Sequence, residues 1–188
     1  LSRDNAFLYA FDSYAGSNAP TRIAEVTGDQ IKDTTTDPKW KGYARQELAY
    51  MEFAAKLNPE SWNTNGFLAG WVAQKILLGE GDSAWARMLK NHQQENGFGP
   101  STCLINKPEE DCPADKLQRI PFPKALAGFL QDNNYKPLPK AARALLRRGR
   151  PARRRTGTTP GRSRRPPWAR SWDSRGCAAP TRIWREAV

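Results

Sequence analysis

From Lys41 to Leu57 no proline interrupts the chain, and Ala44, Leu48, Met51 and Ala55 recur at helical spacing. That recurrence predicts one apolar helix face, with Arg45, Glu52 and Lys56 turned away from it. Asn58-Pro59 ends the run, because proline cannot continue the hydrogen-bond ladder. A second stripe of Leu68, Val72 and Ile76, with Trp71 beside it, follows three N-cap candidates, Asn63, Thr64 and Asn65. Gly79 and Gly81 close that helix. Asp82 or Ser83 is placed to cap a third, bearing Trp85, Met88 and Leu89.

Elsewhere the pattern is shorter. "AFLYAFDSYAG" (6–16) is apolar enough to be buried as a short helix or turn, and "GSNAP" stops it. Ile23 and Val26 favour a strand near 22–28. The loop "TTTDP" (34–38) is stiff at its end, since Pro38 restrains Asp37 from the helical region. After "NGFGP" the chain reads as loops and short strands, including "DKLQRIPF" (115–122) and "FLQDNNYKPLP" (129–139). The whole predicts a helix-rich α/β fold without an internal repeat.

Charge changes the domain picture. Residues 1–139 carry 15 Lys+Arg against 17 Asp+Glu, a net of −2, while residues 140–188 carry 15 against 2, a net of +13. Fourteen of the fifteen tail cations are Arg, set among Pro and Gly with no apolar period. The chain therefore divides into a body, 1–139, and an Arg/Pro-rich segment, 140–188, expected to be disordered. Three readings of that segment stand: out-of-frame sequence, a polyanion-binding arm acting through phosphate contacts, or an extension without a role.

Cys103 and Cys112 bracket "CLINKPEEDC", a loop that a disulfide would close in an oxidising compartment; two free thiols are the other state open to them. Cys177 is the third cysteine. The chain begins at Leu1, which reads as a processed or cut terminus. No segment approaches the ~18 apolar residues of a membrane span.

Catalytic constellations do not appear. GxSxG, GxGxxG, P-loop and HExxH patterns are absent, and the only histidine is His92, at the end of a predicted surface helix. Glu109, Glu110 and Asp111 form a charged loop. Trp40, Trp62, Trp71 and Trp85 suit sugar or base stacking as residue types, and at helical spacing they suit packing better. The chain is expected to be no enzyme and to need neither cofactor nor metal.

Three stretches, "KDTTTDPKW" (32–40), the break at Pro59, and "NGFLAGWVAQKI" (65–76), resemble type 1 periplasmic solute-binding proteins of ABC transporters, the Leu/Ile/Val-binding class. Lys32, Asp33, Asp37, Pro38 and Trp40 match the first element, and Asn65, Gly70, Ala73, Gln74 and Ile76 fall near the second. The likeness covers roughly residues 15–138. An extra Thr in the loop and a poor fit over 97–123 depart from it, and nothing of a first lobe is present.

The resemblance implies part of a Rossmann-like lobe of a two-lobed fold, with the ligand closed between the lobes. It implies an extracytoplasmic solute-binding component of an importer, periplasmic or extracellular and membrane-associated. The small molecule, such as an amino acid, and a membrane permease would be its partners, with no specific nucleic acid, and the protein would be monomeric. By position in the family, Ser2, Asp4, Asn65 and Phe67 are the candidate ligand-binding residues. Two other functions compete: polyanion or nucleic-acid binding through the Arg-rich segment, and a carbohydrate-binding or hydrolytic domain using exposed Trp.

Overall fold

The computed structural model describes residues 1–94 and 97–148. Five α-helices make the body: α1 (Lys41–Leu57), α2 (Asn65–Leu77), α3 (Gly81–Asn91), α4 (Phe122–Asp132) and α5 (Lys140–Arg148). Six strands of two to four residues pair into three separate antiparallel ribbons, β1 (Ser2–Arg3) with β2 (Thr21–Arg22), β3 (Ala24–Thr27) with β4 (Gln30–Asp33), and β5 (Ser101–Cys103) with β6 (Leu117–Arg119).

α2 sits at the centre. It packs on α1 through Ala44, Leu48, Met51 and Ala55, the stripe expected from their spacing, and on α3 through the face that buries Trp85 and Met88. Leu89, expected beside them, is 43% exposed, because the core-facing arc of α3 ends at Met88. The cap of α3 is Glu80, ahead of Asp82 and Ser83, and Gly79 ends the preceding helix at φ +80°, a left-handed position that glycine occupies without strain.

The N-terminal arm supplies the aromatic side of the core. Phe7 and Phe11 meet Phe122, Phe129 and Tyr135 edge-to-face, with ring centres 4.8–5.6 Å apart. The arm then crosses α2 so closely that a Cβ on Gly66 would lie 2.4 Å from the Gly16 carbonyl oxygen, and one on Gly70 would lie 2.0 Å from that of Asn18. Gln74 completes this seam. Its Oε1 accepts from the Thr21 N–H at 2.9 Å and its Nε2 donates to the Ala44 carbonyl at 2.8 Å, joining arm to α1 through α2.

The mixed helix-and-strand class holds, and the finer expectation does not. A Rossmann-like lobe needs parallel strands joined by crossover helices that cover a sheet. Among the described residues every strand pair is antiparallel, and α1 and α2 are covered by other helices and by irregular backbone. "FLQDNNYKPLP", expected as strand, is instead the end of α4 and a loop. Phe122, Ala125, Leu126, Phe129 and Leu130 carry its helical period, and Pro121 and Pro123 lie at its start, where a missing N–H costs nothing. The Lys140–Arg148 part of the basic segment is helix α5, with Ala142 fully buried. The expectations placed on the segment from 149 onward lie outside the described residues.

Cys103 and Cys112 are joined by a disulfide, with Cα atoms 5.8 Å apart, which closes the loop beyond the β5–β6 ribbon. Of the two states open to these thiols, the bridge is the one adopted.

Candidate functional site

The threonine loop continues a ribbon by means of side chains. Past the end of β3–β4, the Thr34 N–H donates to the Ile23 carbonyl at 2.8 Å, and the Ile23 N–H donates to Thr35 Oγ1 at 2.9 Å. Thr35 in turn donates from N and Oγ1 to Asp33 Oδ1, at 2.9 and 2.6 Å. Asp37 caps the 3-10 turn Pro38–Trp40 that leads into α1. Short polar side chains here satisfy backbone that has left the ladder.

This loop walls a cleft of about 350 Å³, lined also by Asp4, Thr21, Arg22 and the turn from Asn133 to Lys136. Its floor is Asp4, which is buried. Asp4 Oδ1 accepts from the Ala6 N–H at 3.2 Å, and Oδ2 accepts from Arg22 at 3.1 Å and from the Tyr135 hydroxyl at 2.8 Å. Arg22 reaches across to Asp33 Oδ2, also at 3.1 Å. One carboxylate thus ties the start of the chain to β2 and to the loop after α4, 131 residues away.

Burial raises the Tyr135 phenol far above its ordinary range, and the Asp4 carboxylate beside it pushes in the same direction. Desolvation pulls the Arg22 guanidinium down, but Asp4 and Asp33 outweigh it and the net direction is up. Partial burial pushes the Asp33 carboxyl up, yet the hydrogen bonds from Thr35 and the charge of Arg22 hold it below the carboxylate range. All three directions preserve the same arrangement: neutral phenol, charged guanidinium, charged carboxylate. No histidine or cysteine lines the cleft to act as base or nucleophile among the described residues.

The four sequence candidates do not converge. Asp4 is the floor of the cleft. Ser2 lies exposed on β1, where its hydroxyl donates to the Arg22 carbonyl at 3.2 Å and so supports ribbon pairing. Asn65 is buried at the start of α2, and its amide holds residue 93 by both backbone groups, donating to the Gln93 carbonyl at 3.0 Å and accepting from its N–H at 2.9 Å. Phe67 is a core residue set edge-to-face against Trp62 at 4.9 Å. Arg22 and Tyr135 were missed. Arg22 lies inside a predicted strand and Tyr135 inside "FLQDNNYKPLP", and no local pattern signals that the fold brings both to Asp4.

Trp62, Trp71 and Trp85 are packing residues. Trp62 and Trp71 meet at 85° with Arg87 lying 3.5 Å over the Trp62 ring, Trp71 Nε1 donates to Glu52 at 3.0 Å, and Trp85 is in the core. Among the described residues no helix is long and apolar enough to cross a membrane.

Comparison with known proteins places the body in a different context from the one its loop and helices imply. A family model described as the sll0997 C-terminal domain matches residues 44–134. Uncharacterized protein y4bJ of Sinorhizobium fredii is 39% identical over 135 residues, which is 72% of this chain and 21% of that protein. Probable thylakoid lumen protein sll0997 of Synechocystis sp. is 35% identical over 133 residues, 70% of this chain and 39% of that one. The chain spans well under half the length of either relative. No solved structure matches it. The matched stretch lies inside 15–138, where the solute-binding likeness rested, so that assignment is overturned together with its role in an importer and in amino-acid transport. Neither polyanion binding nor a carbohydrate-directed activity gains support from these relatives. What the chain is similar to is the sll0997 C-terminal domain.

Proposed function

We propose that residues 1–148 form a non-catalytic, extracytoplasmic module of a longer protein, of the sll0997 C-terminal type. The observation that carries the non-catalytic reading is the engagement of Asp4. Both oxygens of the cleft's deepest charged group accept structural hydrogen bonds, from Ala6, Arg22 and Tyr135. A general base needs a lone pair aimed at a proton it can take, and three of this carboxylate's roughly four acceptor positions are held by bonds within the fold. The cleft is then a joint of the fold, and the module acts through its surface.

Two facts support the compartment. The Cys103–Cys112 bridge suits an oxidising milieu, and one relative is named a probable thylakoid lumen protein.

Thiol trapping in the source cells tests the compartment. Acid quenching followed by a mass-tagged maleimide should label Cys103 and Cys112 only after reduction; free thiols at both positions would refute the extracytoplasmic reading. Panels of hydrolase, transferase and glycosidase substrates test the rest. Turnover that disappears in Asp4→Asn would refute the non-catalytic reading.

A further inference from the structure

We propose that the outer face of α1 is a two-fold interface through which two copies of this chain associate. Opposite its core stripe, α1 presents Tyr50, Phe53 and Leu57, which are 58%, 59% and 72% exposed. With Gln46 they stand at i, i+4, i+7 and i+11, one straight line along the helix. Tyr14, 61% exposed, continues the patch across a groove of about 480 Å³ that Leu8, Tyr50, Met51 and Ala54 also line.

The order of the stripe permits a second copy as its occupant. Its spacings of four, three and four read the same in both directions. An antiparallel α1–α1 pair about a two-fold axis therefore sets Tyr50 opposite Phe53 and Gln46 opposite Leu57, twice over, which is the self-complementarity an isologous interface requires. At the polar end of Tyr50, Gln46 donates to the hydroxyl oxygen at 3.2 Å.

Three cations flank the stripe, and one of them, the exposed Lys56, makes no ion pair among the described residues. Arg3 is paired with Glu47 and Arg45 with Glu80, so two cations flanking the stripe are neutralised within each copy.

Area supports the pairing. Aromatic side chains carry about 150–250 Å² each, so the exposed parts of these residues amount to roughly 500 Å², the size of the largest apolar patch on a typical single chain, which is often functional. Two such patches bury about 1,000 Å² before their polar rim is added, which brings the contact to the lower end of specific interfaces, about 1,200 Å². The monomeric state expected above was an implication of the solute-binding resemblance and has no other ground.

Sedimentation of the full 188-residue chain over a micromolar concentration series tests the proposal. A monomer–dimer equilibrium is expected, weakened about tenfold or more by Phe53→Asp, a change at an exposed position that leaves the fold standing. The geometry is tested in a Cys177→Ser background. Gln46→Cys combined with Leu57→Cys should give an oxidised dimer, since the two positions lie about 16 Å apart along one helix and cannot bridge within a copy. Gln46→Cys alone should give none. A monomer at every concentration, a dimer indifferent to Phe53→Asp, or equal bridging by the single variant would overturn the proposal. So would a monomer that sediments with anionic phospholipid vesicles in a Phe53-dependent way, which would make this face a lipid contact.

Discussion

Helices α1 and α2 lie against each other, and the fold uses very different shares of their circumference. Of the 13 residues of α2, 11 are buried, including Asn65, Gly66, Gly70 and Gln74. α1 buries five of 17 and leaves a second apolar line in the open. What makes α2 central is not greasiness all round. Two glycines let irregular backbone lie against it, Gln74 accepts from the arm's Thr21 N–H, and Asn65 holds the backbone of residue 93. An apolar residue in place of Gln74 would leave the arm's Thr21 N–H without its partner.

The largest effect is expected where this difference is steepest. Gly70→Ala puts a Cβ 2.0 Å from a backbone oxygen that no rotamer change can move. We expect a loss of about 2–4 kcal/mol, read as a fall in the urea midpoint. Gly128, in α4, has nothing within 4 Å of a would-be Cβ, so Gly128→Ala should raise stability by about 0.5–1 kcal/mol. Similar behaviour of the two variants would abolish the contrast between a seam glycine and a merely helical one.

Gln74→Leu comes next. It preserves an apolar fit, leaves the Thr21 N–H without a partner and takes the second bond from the Ala44 carbonyl, for an expected cost of about 1–3 kcal/mol. Amide exchange at Thr21 should accelerate in the same variant. An unchanged exchange rate would mean that the arm does not depend on this residue.

Part of this was legible in the sequence. The period of Ala44, Leu48, Met51 and Ala55 identified the α1 face, because an amphipathic stripe is a local property. The α2 stripe was also found, but Gly70 and Gln74 were read as motif letters of a transport family, since nothing local shows that a loop from residues 16–21 will cross them. α4 was missed: loops and short strands were expected over "DKLQRIPF" and "FLQDNNYKPLP", and the helix runs from the end of the one into the start of the other. Asp4 was named as a candidate for the wrong reason, as a ligand contact by position in a family. Its partners lie 18 and 131 residues away, and only tertiary structure could supply them.

The cleft offers a third test of how far polar seams carry the fold. Because the Tyr135 phenol is raised in the folded chain, its contribution is complete below the unfolded value of 10.0 and is lost as pH climbs beyond it. Unfolding midpoints should therefore decline above about pH 10, and less steeply in Tyr135→Phe. At neutral pH that variant should cost about 1.5–2 kcal/mol, since the lost bond went to a charged group. An alkaline limb equally steep in both proteins would detach the phenol from the stability of the joint.

The smallest effect on folding is expected on the outer face of α1, and its smallness is the point. Phe53 is more than half exposed, so Phe53→Ser should shift the stability of the isolated monomer by no more than about 0.5 kcal/mol. Exposed aromatics at helical spacing that add nothing to the fold need another reason to stand in a line, and association supplies it. At high protein concentration the same substitution should then lower the apparent melting temperature, because binding a second copy stabilises the native state by mass action. A variant that melts like the parent at every concentration would leave α1 with an apolar outer line that neither folding nor pairing employs. A variant that loses stability even when dilute would instead return Phe53 to the core and erase the distinction between the two helices.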